Sequence, residues 1–315
     1  MTDTAPASTS TPGGPYALAI GTFDGVHLGH QEVLRRTVEA ARLRGLVPAA
    51  LTFVPHPRSV VHGVKEIPYL MQLEERTRRI RELGVAEVRV QRFDAALAAL
   101  TAREFFERLG EELPLRHLVV GKDFRIGRGR EAGVAELRLL GAELGWSMED
   151  VPAVWVEGAP VSSTRIREAL AGEGNVELAA RLLTRPFELS GTVVEGFGRG
   201  RTIGVPTANV RLPDEILVPR NGVYFCSATA ALQPERDLYG VLNIGIRPTF
   251  DSGTRSVELH ILDWSGDLYG ETLRVRFLRR LREERKFESV DVLVRQIARD
   301  IVEARSLISG QHQPL

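Results

Sequence analysis

Two histidines three residues apart, His27 and His30, stand in the run Gly21-Thr22-Phe23-Asp24-Gly25-Val26-His27-Leu28-Gly29-His30. Imidazoles in a glycine turn can donate hydrogen bonds to charge that builds on a phosphoryl group. The apolar run Tyr16 to Ile20 ahead of them reads as a buried strand. Gln31 to Arg44 behind them carries Val33, Leu34, Val38 and Ala41 at helical spacing. A strand, a glycine-containing turn and a helix start are where an α/β sheet holds a phosphate, on free amide N–H groups and the helix dipole. Gly21, Phe23, Asp24 and Gly29 are therefore expected to line a nucleotide site together with the histidines. No GxxxxGK[ST] run is present here, so this is not a P-loop.

Three further polar segments sit at strand ends or helix starts. Thr52-Phe53-Val54-Pro55-His56-Pro57 follows an apolar run, and its two prolines stiffen the loop that presents His56. Gly121-Lys122-Asp123-Phe124-Arg125 follows the strand-like run ending at Val120. Val161-Ser162-Ser163-Thr164-Arg165-Ile166-Arg167 opens a helix. There Ser162, Ser163 or Thr164 can cap while spare hydroxyl and N–H groups face a phosphate, and Arg165 can clamp it. All four segments are expected to gather beyond the carboxyl ends of parallel strands. The chemistry suggested is attack by a substrate phosphate on the α-phosphate of a nucleoside triphosphate, which needs positioning and charge neutralisation more than a covalent nucleophile. Taken alone, His56 fits a rigid loop contact nearly as well, and the serine run fits a plain helix cap.

A second set lies downstream. Gly196, Gly198 and Gly200 alternate within Glu195-Gly196-Phe197-Gly198-Arg199-Gly200-Arg201, a spacing that lets backbone wrap phosphates but is also common at hairpin tips. Pro206-Thr207-Ala208-Asn209 puts two hard oxygen ligands, Thr207 and Asn209, on one side of an extended chain, suited to Mg²⁺ shared with ATP phosphates. The alternative is an ordinary turn pair. In Ser256-Val257-Glu258-Leu259-His260-Ile261, alternation places Glu258 and His260 opposite Val257, Leu259 and Ile261. Glu258 is a candidate general base for a hydroxyl attacking a γ-phosphate, or a partner in a cross-strand salt bridge.

These segments need elements to hold them. From residue 16 to about 183, strand-like runs (Tyr16–Ile20, Val47–Phe53, Glu87–Arg92, His117–Val120, Ser147–Val151) alternate with helical ones (Leu73–Leu83, Ala102–Leu109, Val134–Leu144), which predicts a parallel, doubly wound sheet. From 184 to 315, short β-branched and aromatic runs (Phe187–Val194, Gly222–Ala230, Tyr239–Ile244, Ser256–Leu262, Leu273–Leu281) predict an antiparallel barrel, closed by a helix from Val290 to Ile308. Residues 1–15, rich in Thr, Ser, Pro, Gly and Ala, read as a disordered tail without an apolar signal core.

Composition narrows the partners. The chain has 315 residues, enough for about two domains. Its 41 basic and 41 acidic residues cancel, which gives no support to nucleic-acid or anionic-membrane binding. No apolar run approaches a membrane span. The single cysteine, Cys226, excludes an intrachain disulfide and reads as a buried thiol. A cytoplasmic protein acting on small molecules is expected, with a weak homo-oligomer allowed.

The motifs carry a resemblance. Gly-x-Phe-Asp-Gly-Val-His-x-Gly-His, Thr-Phe-x-Pro-His-Pro, Gly-x-Asp-Phe-Arg and Val-Ser-Ser-Thr-x-Ile-Arg, in this order, resemble the adenylyltransferase module of bacterial bifunctional riboflavin kinase/FAD synthetases. Gly-x-Val-Val-x-Gly-x-Gly-Arg-Gly, Pro-Thr-Ala-Asn, Asn-Ile-Gly-x-Arg-Pro-Thr (243–249), Glu-x-His-Ile-Leu-Asp, Asp-Leu-Tyr-Gly (267–270) and Leu-Arg-x-Glu-x-Lys-Phe (281–287) resemble the riboflavin kinase module. The resemblance implies a Rossmann-like nucleotidyltransferase domain over 16–183 and a six-stranded riboflavin kinase barrel with a C-terminal helix over 184–315. It implies that His27 and His30 bind ATP phosphates, that Ser163, Thr164 and Arg165 form a phosphate-side motif, and that Phe53, Pro55, His56, Asp123 and Phe124 line the flavin site. In the barrel it implies Mg²⁺–ATP on Thr207 and Asn209 and Glu258 as base, with riboflavin, FMN and FAD as substrates and products. One stretch departs from the family pattern. Ile126 replaces an aromatic, and the run Gly127 to Gly133 places its last glycine one position late. The histidine turn by itself is also compatible with nucleotidyl transfer to another phosphorylated small molecule, and the fold with a non-enzymatic flavin-binding protein.

Overall fold

The computed structural model describes residues 14–62, 67–196, 200, 203–231, 233–246 and 255–311; most of the expected N-terminal tail, Gly198 and Arg247 to Phe250 lie outside these. By compactness the chain divides into two units, one running to Ile67 and resuming over Leu73–Pro160, the other comprising Pro68–Gln72 and Val161–Leu315.

In the first unit, β1 (Tyr16–Ile20) leads through the histidine turn into α1 (Leu28–Arg44). Then come β2 (Val47–Val54), α2 (Pro57–His62), α3 (Leu73–Glu82), β3 (Glu87–Arg92), α4 (Ala95–Ala98), α5 (Ala102–Glu112), β4 (Leu115–Gly121), α6 (Val134–Leu144), β5 (Ser147–Val151) and the hairpin β6–β7 (Trp155–Val156, Ala159–Pro160). The main sheet has the order β3-β2-β1-β4-β5, and all its neighbouring pairs are parallel. The central strand β1 is buried at every position, as a strand covered on both faces must be. Helix α5 begins with a capping box in which Thr101 and Glu104 satisfy each other's backbone amides. It presents Phe105 and Phe106 to a core with Leu18, Leu51, Leu118, Leu137 and Trp146, each such side chain worth roughly 1.5–3 kcal/mol on burial.

The second unit begins with α7 (Ser163–Arg167), a π-helical turn over Glu168–Glu173 and α8 (Val176–Leu183). It continues through β8 (Phe187–Val194), β9 (Ala208–Arg211), β10 (Gly222–Ala230), β11 (Gln233–Ile246), β12 (Arg255–Ile261), β13 (Thr272–Arg282) and α9 (Val290–Gln311). Strands β8 to β13 close a six-stranded barrel in the order β10-β11-β12-β9-β8-β13. Every residue of β10 is buried. One face of it looks into the barrel, and Val223 and Phe225 on the other pack with Val241, Leu262 and Ala304 of α9. Cys226 is buried in this strand, where desolvation pushes its thiol well up. Compactness groups α7 and α8 with the barrel, through bonds such as Arg220 N–H to Leu170 O (2.8 Å) and Arg280 Nη1 to Glu173 O (3.0 Å).

Candidate active sites

Helix α1 starts at Leu28, three residues earlier than its apolar periodicity indicates, because His27 itself is the cap. The His27 Nδ1 accepts from the His30 amide at 3.3 Å, so in the neutral ring the proton sits on Nε2, which is then a donor. His30 lies in the first helical turn and stacks on His27 with centroids 3.6 Å apart, and Phe23 meets His30 edge-on at 5.3 Å. Gly21 has no side chain for a reason: a Cβ there would press on the Phe23 ring at 3.1 Å. Phe23 (φ 48°) and Val26 (φ 40°) both occupy the left-handed region, at a cost of roughly 1–3 kcal/mol each for a non-glycine residue. The turn is held from outside itself. The Thr22 carbonyl accepts from Thr52 Oγ1 (2.9 Å) and Arg76 Nη1 (2.8 Å), and the Val26 carbonyl accepts from Gln31 Nε2 (2.9 Å). Asp24 is fully buried. Gly29 follows in the first turn of α1.

The Pro-His-Pro and Asp-Phe-Arg segments leave the carboxyl ends of β2 and β4, the two neighbours of β1, so the sheet gathers them on the edge that carries the histidines. Pro55, exposed, follows a cis Val54–Pro55 bond. Half-buried His56 accepts from the Arg58 amide through Nδ1 at 3.2 Å. The Phe53 ring is buried in the core and meets Phe93 edge-on at 5.6 Å. Asp123 is exposed and Phe124 half-buried against the same core. In the departing stretch, Ile126 and Ala132 exchange backbone bonds of 2.9 and 3.0 Å, and Arg125 donates to the Arg130 and Glu131 carbonyls. The extra residue is thus absorbed in a closed loop, and Ile126 packs on the core beside Phe124. In the second unit Ser162 is the cap of α7, its Oγ accepting from the Arg165 amide at 3.2 Å. Ser163, Thr164 and Arg165 form the first turn behind it.

On the barrel, the strand register places Asn209 of β9 beside Glu258 of β12, and Asn243 of β11 on the other side of Glu258. These three half-buried side chains share the outer face, since Val257, Leu259 and Ile261 point inward. Gly196 is required by close approach, because a Cβ at this position would collide with the Asn209 amide. Gly200 accepts from the Val205 amide at 2.8 Å, which folds the chain back toward Thr207. His260 anchors the same segment, with its Nδ1 2.8 Å from the Pro206 carbonyl. Alternation placed His260 on the face of Glu258, but the sequence contained no signal for its bond to Pro206. Asn243 was visible only as part of a motif. Among the described residues no cluster of three or more His, Cys, Asp or Glu could hold a metal. A hydroxyl and an amide oxygen such as Thr207 and Asn209 offer suit a Mg²⁺ that takes its remaining ligands from phosphates and water.

The chain matches two family models, FAD synthetase over residues 11–165 and riboflavin kinase over residues 183–308. It is 41% identical over 289 residues to the bifunctional riboflavin kinase/FMN adenylyltransferase of Escherichia coli strain K12, covering 91% of each chain. The chain belongs to the bifunctional riboflavin kinase/FMN adenylyltransferase family. The family member of Bacillus subtilis strain 168 is 37% identical over 293 residues, covering 91% of this chain and 90% of that one. Among solved structures, a macrolide-efflux protein from Streptococcus pneumoniae superposes with a TM-score of 0.85 at 34% identity, covering 95% of this chain and 96% of that one. Efflux is said of that protein; among the described residues of this family member no helix is long and apolar enough to cross a membrane. The two family models leave residues 166–182 between them, which is most of the α7–α8 region.

Proposed function

We infer that the chain carries out two consecutive reactions. Riboflavin is phosphorylated by ATP to FMN and ADP. FMN then attacks the α-phosphate of a second ATP to give FAD and pyrophosphate. The observation that supports this is the presence of two chemically different polar constellations in separate folds of one chain of this family: a paired-histidine turn on a parallel sheet and a Glu258–Asn209 pair on a barrel.

In the first reaction Glu258 accepts the proton of the riboflavin primary hydroxyl as that oxygen bonds to the γ-phosphorus and the bond to the β,γ-bridging oxygen breaks. Thr207 and Asn209 would hold Mg²⁺, which neutralises phosphate charge when bound. Their segment is steadied by His260, and Gly196 leaves room for the Asn209 amide. In the second reaction an FMN phosphate oxygen attacks the α-phosphorus and pyrophosphate leaves. His27, whose capping bond leaves Nε2–H as donor, and His30 stabilise the charge on the phosphoryl oxygens. Arg165, with Ser162, Ser163 and Thr164, is assigned to nucleotide phosphates. Pro55, His56, Asp123 and Phe124 are assigned to the flavin; Phe53, buried, would act by supporting that wall. The division of labour falls at 183/184. A balanced charge and a buried thiol support a cytoplasmic small-molecule enzyme.

The test is incubation with riboflavin, ATP and Mg²⁺, with FMN and FAD separated over time. FMN should appear first and FAD follow, with one pyrophosphate per FAD. No ATP turnover with either flavin would overturn the reading. Pyrophosphate release only with a different phosphorylated acceptor would redirect the first unit to another substrate.

A further inference from the structure

Arg76 is the largest fully buried side chain among the described residues, at 1% exposure. Its neighbours on α3 do what surface charges do: Arg78 and Arg79 pair with Glu75, and Arg78 also with Glu82. Arg76 instead turns inward and donates through Nη1 to the carbonyl of Thr22, 54 residues away in sequence. Burying a guanidinium is costly unless its hydrogen bonds are used. The carbonyl it meets opens the turn in which Phe23 and Val26 are held at positive φ and which ends in the His27 cap. Thr52 Oγ1, from the adjacent strand, donates to the same oxygen.

We propose that Arg76 is a positioning residue for the adenylylation step. It touches no reacting atom. By gripping Thr22 O it keeps the turn in its left-handed conformation, and so keeps His27 and His30 stacked and aimed. Without it, Phe23 and Val26 can relax toward ordinary negative φ, and the imidazoles move with them. The inference rests on the assignment of His27 and His30 to FMN adenylylation.

The experiment uses the full chain with Arg76→Met, Arg76→Lys and Thr52→Val. Three readouts are taken: FAD formation from supplied FMN and ATP, FMN formation from riboflavin in the same preparation, and the histidine ring Cε1–H resonances of the ligand-free protein, assigned with His27→Ala and His30→Ala. Arg76→Met should lower kcat for FAD formation by about tenfold to a hundredfold, the scale of a displacement near 1 Å, with KM for FMN and ATP changed less than about threefold. The His27 and His30 resonances should shift while FMN formation stays at the wild-type rate. Arg76→Lys should recover part of kcat, and Thr52→Val, which removes only the second donor, should lose less than Arg76→Met. If Arg76→Met does not fold, Arg76→Lys and Thr52→Val carry the same test. Unchanged kcat, or a loss proportional to the unfolded fraction with both ring resonances in place, would overturn the proposal. A wild-type chain that phosphorylates riboflavin but makes no FAD would sink the activity assignment instead. The ring resonances would still decide whether Arg76 sets the turn.

Discussion

His117 offers a prediction whose size follows from its surroundings. It lies on β4, 2% exposed, with Nδ1 2.7 Å from Ser147 Oγ. That hydroxyl donates to the Arg116 carbonyl at 3.3 Å, so Nδ1 is the donor to Oγ and the bare Nε2 faces a buried place with no acceptor. A proton on Nε2 would be a desolvated charge, with Arg44 adding like-charge repulsion, and the His117 pKa falls from 6.5 to about 4. Between these values the unfolded chain binds a proton that the folded chain refuses, so stability falls as pH drops below 6.5 and levels off below about 4. At about 1.4 kcal/mol per pH unit the whole effect is about 3 kcal/mol, of which about 2 kcal/mol is lost between about pH 7 and pH 5. Denaturant unfolding of the first unit can be followed through Trp146, with Trp155 and Trp264 replaced by Phe. His117→Gln cannot titrate. The stability difference between parent and variant should shift by about 2 kcal/mol in favour of the variant over that interval. A difference that stays constant with pH would refute the reasoning, as would a His117 ring that titrates near its ordinary value by NMR.

Glu258→Gln should lower FMN formation by on the order of 10²–10⁴-fold while FAD formation from supplied FMN is retained; loss of both in a folded protein would break the division of labour. His27→Ala with His30→Ala should lower FAD formation by at least about 10²–10³-fold and spare FMN formation, measured by separating the two flavins. Gly196→Ala drives a methyl into the Asn209 amide. It should weaken Mg²⁺–ATP use in riboflavin phosphorylation by about tenfold or more, read as a rise in KM for ATP with FAD formation from FMN unchanged.

Much of this molecule is legible from residues alone, because its information is local. Tyr16–Ile20, Glu87–Arg92, Ser147–Val151, Phe187–Val194 and Gly222–Ala230 match their strands residue for residue; in the first and last of these, burial at every position imposes an apolar composition that can be counted. The four-residue β9, preceded by Pro206 and holding Asn209 and Arg211, was not read as a strand; pairing with β8 and β12 makes it one. The hairpin at Trp155–Pro160 was missed for the same reason, each strand being two residues long. Residue types also marked His27, His30, Thr207, Asn209 and Glu258 as candidates for chemistry: a histidine pair in a glycine turn, two hard oxygen ligands on one side of an extended chain, and a mid-strand carboxylate that is costly to bury unpaired.

Tertiary structure decided which distant groups meet. No spacing in the sequence connects Arg76 to Thr22, His260 to Pro206 or Asn243 to Glu258. Those contacts exist because α3 lies against the sheet edge and because barrel closure fixes the register of β9, β11 and β12. It also decided where the Phe53 ring goes: the resemblance implies that Phe53 lines the flavin site, and the fold buries its ring in the core, edge-on to Phe93. The sequence by itself determined which elements form and which side chains can do chemistry, since both depend on neighbours a few residues away. The hold on those side chains comes from residues tens of positions distant and depends on a packing that only the folded chain specifies.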